Sequence, residues 1–268
     1  MRRASSRSAS VQIADRYRAS TLDLHLAAIA YAHRAAGLPT PTLHQAVREV
    51  RTGVRRTHGA PVRGKAALMT EDLRRLLELL DRTPLGLRDR ALLLLGFAGA
   101  FRRSELVSLD VEDLEFTPRG VRVQLRRSKT DQEAQGRPVG VLYGATPETC
   151  PVQAIERWLA HVCTVVPGYD RGPLFLRLDA AGRVRLARLS DRGVARVVQR
   201  WAERAGLDPE RFAGHSLRAG LATSAAAGGV SERAIMNQTG HRSLAMVRRY
   251  IRDGELFGDD NAARGAGL

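Results

Sequence analysis

Lysine, cysteine and long apolar runs are scarce in this sequence, and each scarcity excludes something. Two cysteines, Cys150 and Cys163, in 268 residues rule out a disulfide scaffold and are too few for a cysteine zinc cluster. The most apolar run, residues 91–101, falls well short of the roughly 20 residues that a membrane helix needs, so no membrane role is expected. The opening Met1-Arg2-Arg3-Ala4 leads into Ser and Arg rather than an apolar segment. No secretory signal is read there, and a reducing cytoplasm is the expected compartment. No glycine-rich phosphate loop of the GxxxxGK[ST] type occurs, and His, Cys and Asp do not cluster at metal spacing, so neither cofactor nor metal is expected.

Basic residues are abundant. Lys plus Arg number 43 against 28 Asp plus Glu, a net charge of +15. The first 66 residues hold twelve basic and three acidic side chains, a net +9. A surface of this sign attracts polyanions through counterion release, and nucleic acid is the commonest such partner. Only Lys65 and Lys129 are lysines, and the other 41 cations are arginines. Codon bias is the ordinary explanation, but arginine never gives up its proton whereas lysine can, so a surviving lysine raises the question of a task that arginine cannot do.

Along the chain, residues 1–18 lack an apolar period and read as disordered or as a poor first helix. Residues 19–36 read as a helix with Leu22, Leu26, Ile29 and His33 on one face, and 43–58 as a second with Ala46, Val47, Val50 and Val54 inward. The other face of the second helix carries Arg48, Arg51 and Arg55, a stripe that either tracks phosphates or is simply solvated. Residues 59–68 read as a linker. Beyond it, helices are expected from Thr70 to about Asp81, from Leu87 to Gly99 (almost wholly apolar, hence buried), and over 151–165, 190–205, 216–227, 231–238 and 243–251. Val121, Val123 and Leu125 alternate with polar residues as a strand, and Val139 and Val141 begin its hairpin partner. The fold class is mainly α with a small antiparallel sheet (α+β). Asp110, Glu112 and Asp113 sit in a turn-like run and read as solvated rather than as metal ligands.

Four basic elements and one tyrosine then stand out. Arg102 and Glu105 follow eleven apolar residues, a costly place for charge unless it is satisfied, and lie at i, i+3 so that the glutamate can orient the guanidinium. Lys129 lies in Arg126-Arg127-Ser-Lys129-Thr at a strand end. His215 and Arg218 share one helix face and would repel each other without an anion between them. His241 lies in Gly240-His241-Arg242-Ser, and Tyr250 in Val-Arg-Arg-Tyr-Ile-Arg. Each has an ordinary structural explanation when taken singly.

Together they resemble the catalytic domain of the tyrosine recombinases, the phage integrase family, whose pattern is Arg, Lys, His-x-x-Arg, His or Trp, and Tyr. Here the order is Arg102, Lys129, His215-x-x-Arg218, His241 and Tyr250. Phe-Arg-Arg-Ser-Glu-Leu and Thr-Gly-His-Arg-Ser are similar to the family's arginine and second histidine boxes. The resemblance implies a catalytic domain over 69–252, preceded by a short helical core-binding domain over 19–58. Ala100 stands where the family usually has glycine.

The resemblance also implies a site-specific DNA recombinase or integrase that cleaves and rejoins strands through a 3′-phosphotyrosyl intermediate. Tyr250 is then the nucleophile, Arg102 and Arg218 clamp the phosphate, and Lys129 protonates the leaving oxygen. His215 serves as base or donor, His241 holds the phosphate, and Glu105 supports Arg102. Double-stranded DNA with a specific recombination site is the implied partner, bound by a homo-tetramer in the nucleoid. Arg48, Arg51, Arg55, Arg126, Arg127 and Arg242 are candidate DNA contacts. In the tail 253–268, Leu256 and Phe257 would dock onto a neighbouring subunit. Only two clear helices precede the linker, so a truncated or decayed integrase that binds DNA without cutting it is the alternative. A topoisomerase-like relaxing activity is a third possibility.

Overall fold

The computed structural model describes residues 17, 19–58, 64–126, 136–241 and 243–255. The chain forms two compact units, divided between Gly64 and Lys65.

The first unit contains α1 (Ala19–Ala35), a 3-10 turn (Pro41–Leu43) capped by Thr40, and α2 (Gln45–His58). Leu22, Leu26 and His33 of α1 are half-buried as expected, and only Ile29 departs from the expected face. Ala30 is buried and Ile29 is 42% exposed, while Val54 of α2 is buried as expected. The small Ala30 side chain faces inward because a position one residue on is turned about 100° around a helix.

The second unit is built around α4 (Pro84–Ala98), which follows α3 (Thr70–Glu78). Thr83 caps α4 by accepting from the Gly86 N–H at 3.2 Å, with Pro84 at the first helical position, so the helix starts three residues before its apolar run. Ala91 through Leu95 are all buried, and each leucine removed from water contributes about 2 kcal/mol. Against this helix pack α6 (Pro151–Val165) and α8 (Gly214–Ala227). Gly220 of α8 leaves no room for a side chain, since a Cβ would lie 1.9 Å from the Leu68 carbonyl oxygen.

The expected hairpin is the inner part of a three-stranded antiparallel sheet, β1 (Leu114–Thr117), β2 (Gly120–Leu125) and β3 (Arg137–Leu142), in that spatial order. Val121 pairs with Val141 and Val123 with Val139. These four and Leu125 are buried, whereas Arg122 and Gln124 face solvent. Gly120 (φ +147°) turns β1 into β2, and a Cβ there would lie 2.2 Å from the Val141 carbonyl oxygen. A second two-stranded sheet, β4 (Leu176–Leu178) with β5 (Val184–Arg188), was not apparent from the sequence pattern.

The remaining helices are α5 (Arg103–Ser108), α7 (Asp191–Arg204, capped by Ser190), α9 (Glu232–Thr239, capped by Ser231) and α10 (Leu244–Glu255). α8 begins at Gly214 rather than Ser216, which places His215 in its first turn. Val247 and Tyr250 of α10 are buried in a cluster with Ala219, Ala222 and Ala226 of α8 and Ile235 of α9. No helix among the described residues is long and apolar enough to cross a membrane.

Of the run 110–113, Glu112 is exposed as expected, whereas Asp110 and Asp113 are tied into ion pairs. Asp113 is buried, and its Oδ1 accepts from Arg126 Nε at 2.6 Å, while Asp110 pairs with Arg126 at 3.0 Å and also with Arg188. The carboxylates anchor the end of β2 and the end of β5.

Candidate active site

The arginine box begins where α4 ends. Ala100 has φ +49°, the left-handed region that a side chain resists, and it reverses the chain into Phe101 and Arg102. Arg102 is the N-cap of α5. Glu105 is almost fully buried, accepts the Arg102 backbone N–H at 2.8 Å and pairs with the Arg102 guanidinium. One carboxylate therefore caps the helix and fixes the side chain of the residue that starts it.

The reversal at Ala100 also serves Arg218. That side chain is 1% exposed, and its Nη1 donates to the Ala100 carbonyl at 2.7 Å. Its Nη2 is buried with no hydrogen-bond partner among the described residues. A buried unpaired donor costs about 1–3 kcal/mol, more when charged, and an oxyanion would remove that cost. Burial first, then the neighbouring Arg102, push the Arg218 pKa down to about 10. Both perturbations have the sign expected where guanidinium groups are gathered together and withdrawn from water.

His215, one turn before Arg218 on α8, places Nε2 3.0 Å from the Tyr250 hydroxyl oxygen. Desolvation first, then Arg218, Arg102 and Arg249, hold its pKa below the usual imidazole value, although the residue keeps an exposed surface. His241 follows directly on Gly240, the left-handed C-cap of α9 (φ +65°). Its ring lies 5.7 Å from that of Tyr250, and its pKa is pushed down to about 4 by burial and then by Arg218, Arg102, His215 and Arg137. Arg102, Arg218, His215, His241 and Tyr250 thus converge from four separate segments of the chain.

The remaining candidates fall elsewhere. Lys129, Arg127, Arg242, Leu256 and Phe257 lie outside the described residues. Arg126 is tied to Asp110 and Asp113. Arg51 pairs with Asp23 at 2.6 Å and Arg55 pairs with the same carboxylate, while Arg48 is exposed. The exposed stripe on α2 is therefore partly neutralised by α1. Lys65, the other lysine, donates to the Glu210 carbonyl.

The structure adds residues that the sequence did not single out. Arg137, at the start of β3, donates from Nη1 to the carbonyls of Asn237 (3.2 Å) and Gln238 (3.3 Å), bracing the last turn of α9. The left-handed backbone favours glycine at 240, and a Cβ there would also lie 2.7 Å from Arg137 Nε and push that side chain aside. Gln238 donates to the Ala98 carbonyl at 2.7 Å and so ties α9 to the end of α4. Thr239 is fully buried beside His241. The Thr-Gly-His spacing was a local signal for Thr239, but one arginine among 41 gave none for Arg137.

This arrangement can hold a phosphodiester between two guanidinium groups and present a phenol to it, with an imidazole in contact with the phenol. It is the equipment of phosphoryl transfer to tyrosine. The chain belongs to the phage integrase family, the tyrosine recombinases: that family's model matches residues 67–255. The chain is 42% identical over 252 residues to an integrase/recombinase xerD homolog of Selenomonas ruminantium, covering 92% of this chain and 72% of that protein. It is 32% identical over 186 residues to tyrosine recombinase XerC of Myxococcus xanthus, covering 68% of this chain and just over half (56%) of that protein. The fold matches XerH site-specific recombinase bound to a palindromic difH substrate, with TM-score 0.58 and 18% identity over 94% of this chain and 72% of that one. It also matches the Tn1549 transposon integrase in complex with transposon right end DNA, with TM-score 0.62 and 16% identity over 96% of this chain and 84% of that one.

Proposed function

We propose that this chain recombines double-stranded DNA at a specific site, with Tyr250 as the nucleophile and Arg102, Lys129, His215, Arg218 and His241 as its catalytic partners. The contact between His215 Nε2 and the Tyr250 hydroxyl at 3.0 Å, next to a buried arginine with an unpaired donor, carries the reading.

The steps follow from the groups. Tyr250 Oη attacks phosphorus, its proton passing to His215, and the bond from phosphorus to the 5′ oxygen breaks. Lys129 supplies the proton that the departing 5′ oxygen needs. Arg218, and Arg102 oriented by Glu105, bind the non-bridging oxygens as charge gathers on them, with His241 on the other side. The 3′-phosphotyrosyl link keeps the phosphodiester's energy. A 5′-hydroxyl from a partner strand then reverses the same steps and restores Tyr250.

Four copies on two DNA sites would perform the exchange. The tail carrying Leu256 and Phe257 would dock on the next copy, a reading supported by an apolar cavity of about 460 Å³ lined by Phe97, Ala222, Ala225, Val230 and Ile235 among others. The exposed Arg48, with Arg127 and Arg242, would contact the DNA backbone. The protein would work in the nucleoid of the cytoplasm.

The test is a nicked duplex carrying the repeat or palindrome found beside the gene. A covalent protein–DNA band on a denaturing gel, lost in Tyr250→Phe with gel-shift binding retained, is expected. Binding without a covalent band would instead support a non-catalytic DNA-binding protein.

A further inference from the structure

Thr239 is fully buried, and its Oγ1 lies 2.7 Å from the Ile235 carbonyl oxygen. Two oxygens that close must have a hydrogen between them. A carbonyl has none, so the threonine's single hydroxyl proton points at Ile235. The same Oγ1 lies 2.8 Å from His241 Nδ1. With its own proton committed, the hydroxyl can only accept there, so the hydrogen on that contact belongs to the ring.

We propose that Thr239 is a positioning residue that fixes His241 as the Nδ1–H tautomer, leaving Nε2 as the ring atom offered to the reacting phosphate. The turn is braced for this purpose. Gly240 donates to the Met236 carbonyl at 2.7 Å, and Arg137 holds the Asn237 and Gln238 carbonyls, so neither residue flanking the contact can drift. Among the described residues, the charged and titratable groups facing His241 are Arg218, Arg102, His215, Arg137 and the Tyr250 phenol, none of them a carboxylate that would compete with Thr239 for the ring N–H. In the neutral ring Nε2 is an acceptor. A proton taken up there as the phosphate's charge arrives turns the same atom into a donor, with no rotation of the ring. Had the tautomer been the other one, the phosphate side would carry the N–H and Nδ1 would face an oxygen with no hydrogen to share.

The effect on rate rests on the recombinase reading, whereas the tautomer does not. It is read by long-range ¹H–¹⁵N NMR on histidine-labelled full-length protein without DNA at pH 7.5, with His241→Gln assigning the signal. The expected pattern is protonated Nδ1 and bare Nε2 for His241, lost in Thr239→Val and kept in Thr239→Ser. In the covalent-adduct assay, Thr239→Val should be slower by about 10-fold, the lower end of what losing an orienting partner of a histidine costs at metal sites. Thr239→Ser should restore the rate, with DNA affinity unchanged in both. Protonated Nε2 in the wild type, or an unchanged pattern in Thr239→Val, would overturn the assignment. A correct pattern with no adduct from any variant would instead count against the recombinase reading.

Discussion

His215 Nε2 and the Tyr250 hydroxyl oxygen lie 3.0 Å apart, although they are 35 positions apart in sequence with one whole helix, α9, between them. The imidazole is neutral near pH 7 because burial and three arginines, Arg218, Arg102 and Arg249, hold its pKa below the usual value. A neutral imidazole can accept the phenol's proton, and an imidazolium cannot.

The first prediction concerns rate. His215→Asn should slow adduct formation by about 10²–10⁴-fold, the usual range for a positioned acid–base group. In the wild type the single-turnover rate should hold through about pH 6.5, the unperturbed histidine value, and fall at lower pH, where the base form of the depressed imidazole is titrated away. The variant should lack that limb. An identical limb in both would assign it to another group.

The second concerns stability against pH. His241 has a folded-state pKa of about 4 against 6.5 for the free group, and His215 is shifted in the same direction. Between those values the unfolded chain binds more protons, so stability is complete above about pH 6.5 and declines as pH falls toward 4. Urea midpoints from pH 7 to 4.5 should show the decline, shallower in His241→Gln. Added sulfate or phosphate should flatten it, since an anion offsets the cations that depress both imidazoles. A midpoint independent of pH over this range would contradict it.

Glu105 supports both a helix end and a catalytic candidate. Glu105→Ala leaves the Arg102 guanidinium and backbone N–H without their acceptor and should cost about 3 kcal/mol in urea unfolding, the lower end for breaking a buried pair. Glu105→Gln keeps an acceptor for the N–H and should lose less stability while still slowing adduct formation. Equal stability losses in the two variants would remove the ion pair from the account.

Ala100 holds a left-handed backbone with a Cβ attached. Ala100→Gly should stabilise the protein by up to about 1 kcal/mol, because relief of the left-handed penalty outweighs glycine's extra chain entropy. Adduct formation should stay intact, since only the Ala100 carbonyl is used, by Arg218. A loss of stability would show that the Cβ contributes more through packing than the backbone loses through strain.

Elements with a strong period were legible in the sequence. The apolar core of α4 and the alternation in β2 and β3 each announce themselves locally. β1, β4, β5 and α5 span three to six residues, too few for a period to form. The partners of charged residues were legible only within one helical turn, as for Arg102 and Glu105, and not across the fold. Asp113 looks solvated until Arg126 comes back to it from the far end of β2, and the α2 arginines look free until Asp23 of α1 reaches two of them. Motif order named the residues that meet around Tyr250. Thr239 and Arg137 act through carbonyls and a hydroxyl whose direction only the folded backbone sets.

The central claim is that Tyr250 becomes covalently joined to a 3′ phosphate. The direct measurement is mass spectrometry of peptides from wild-type protein trapped on a nicked duplex and digested with protease and nuclease. A nucleotide mass attached to Tyr250, absent in Tyr250→Phe, is the predicted result. Attachment at any other residue, or an adduct that survives Tyr250→Phe, would contradict the account.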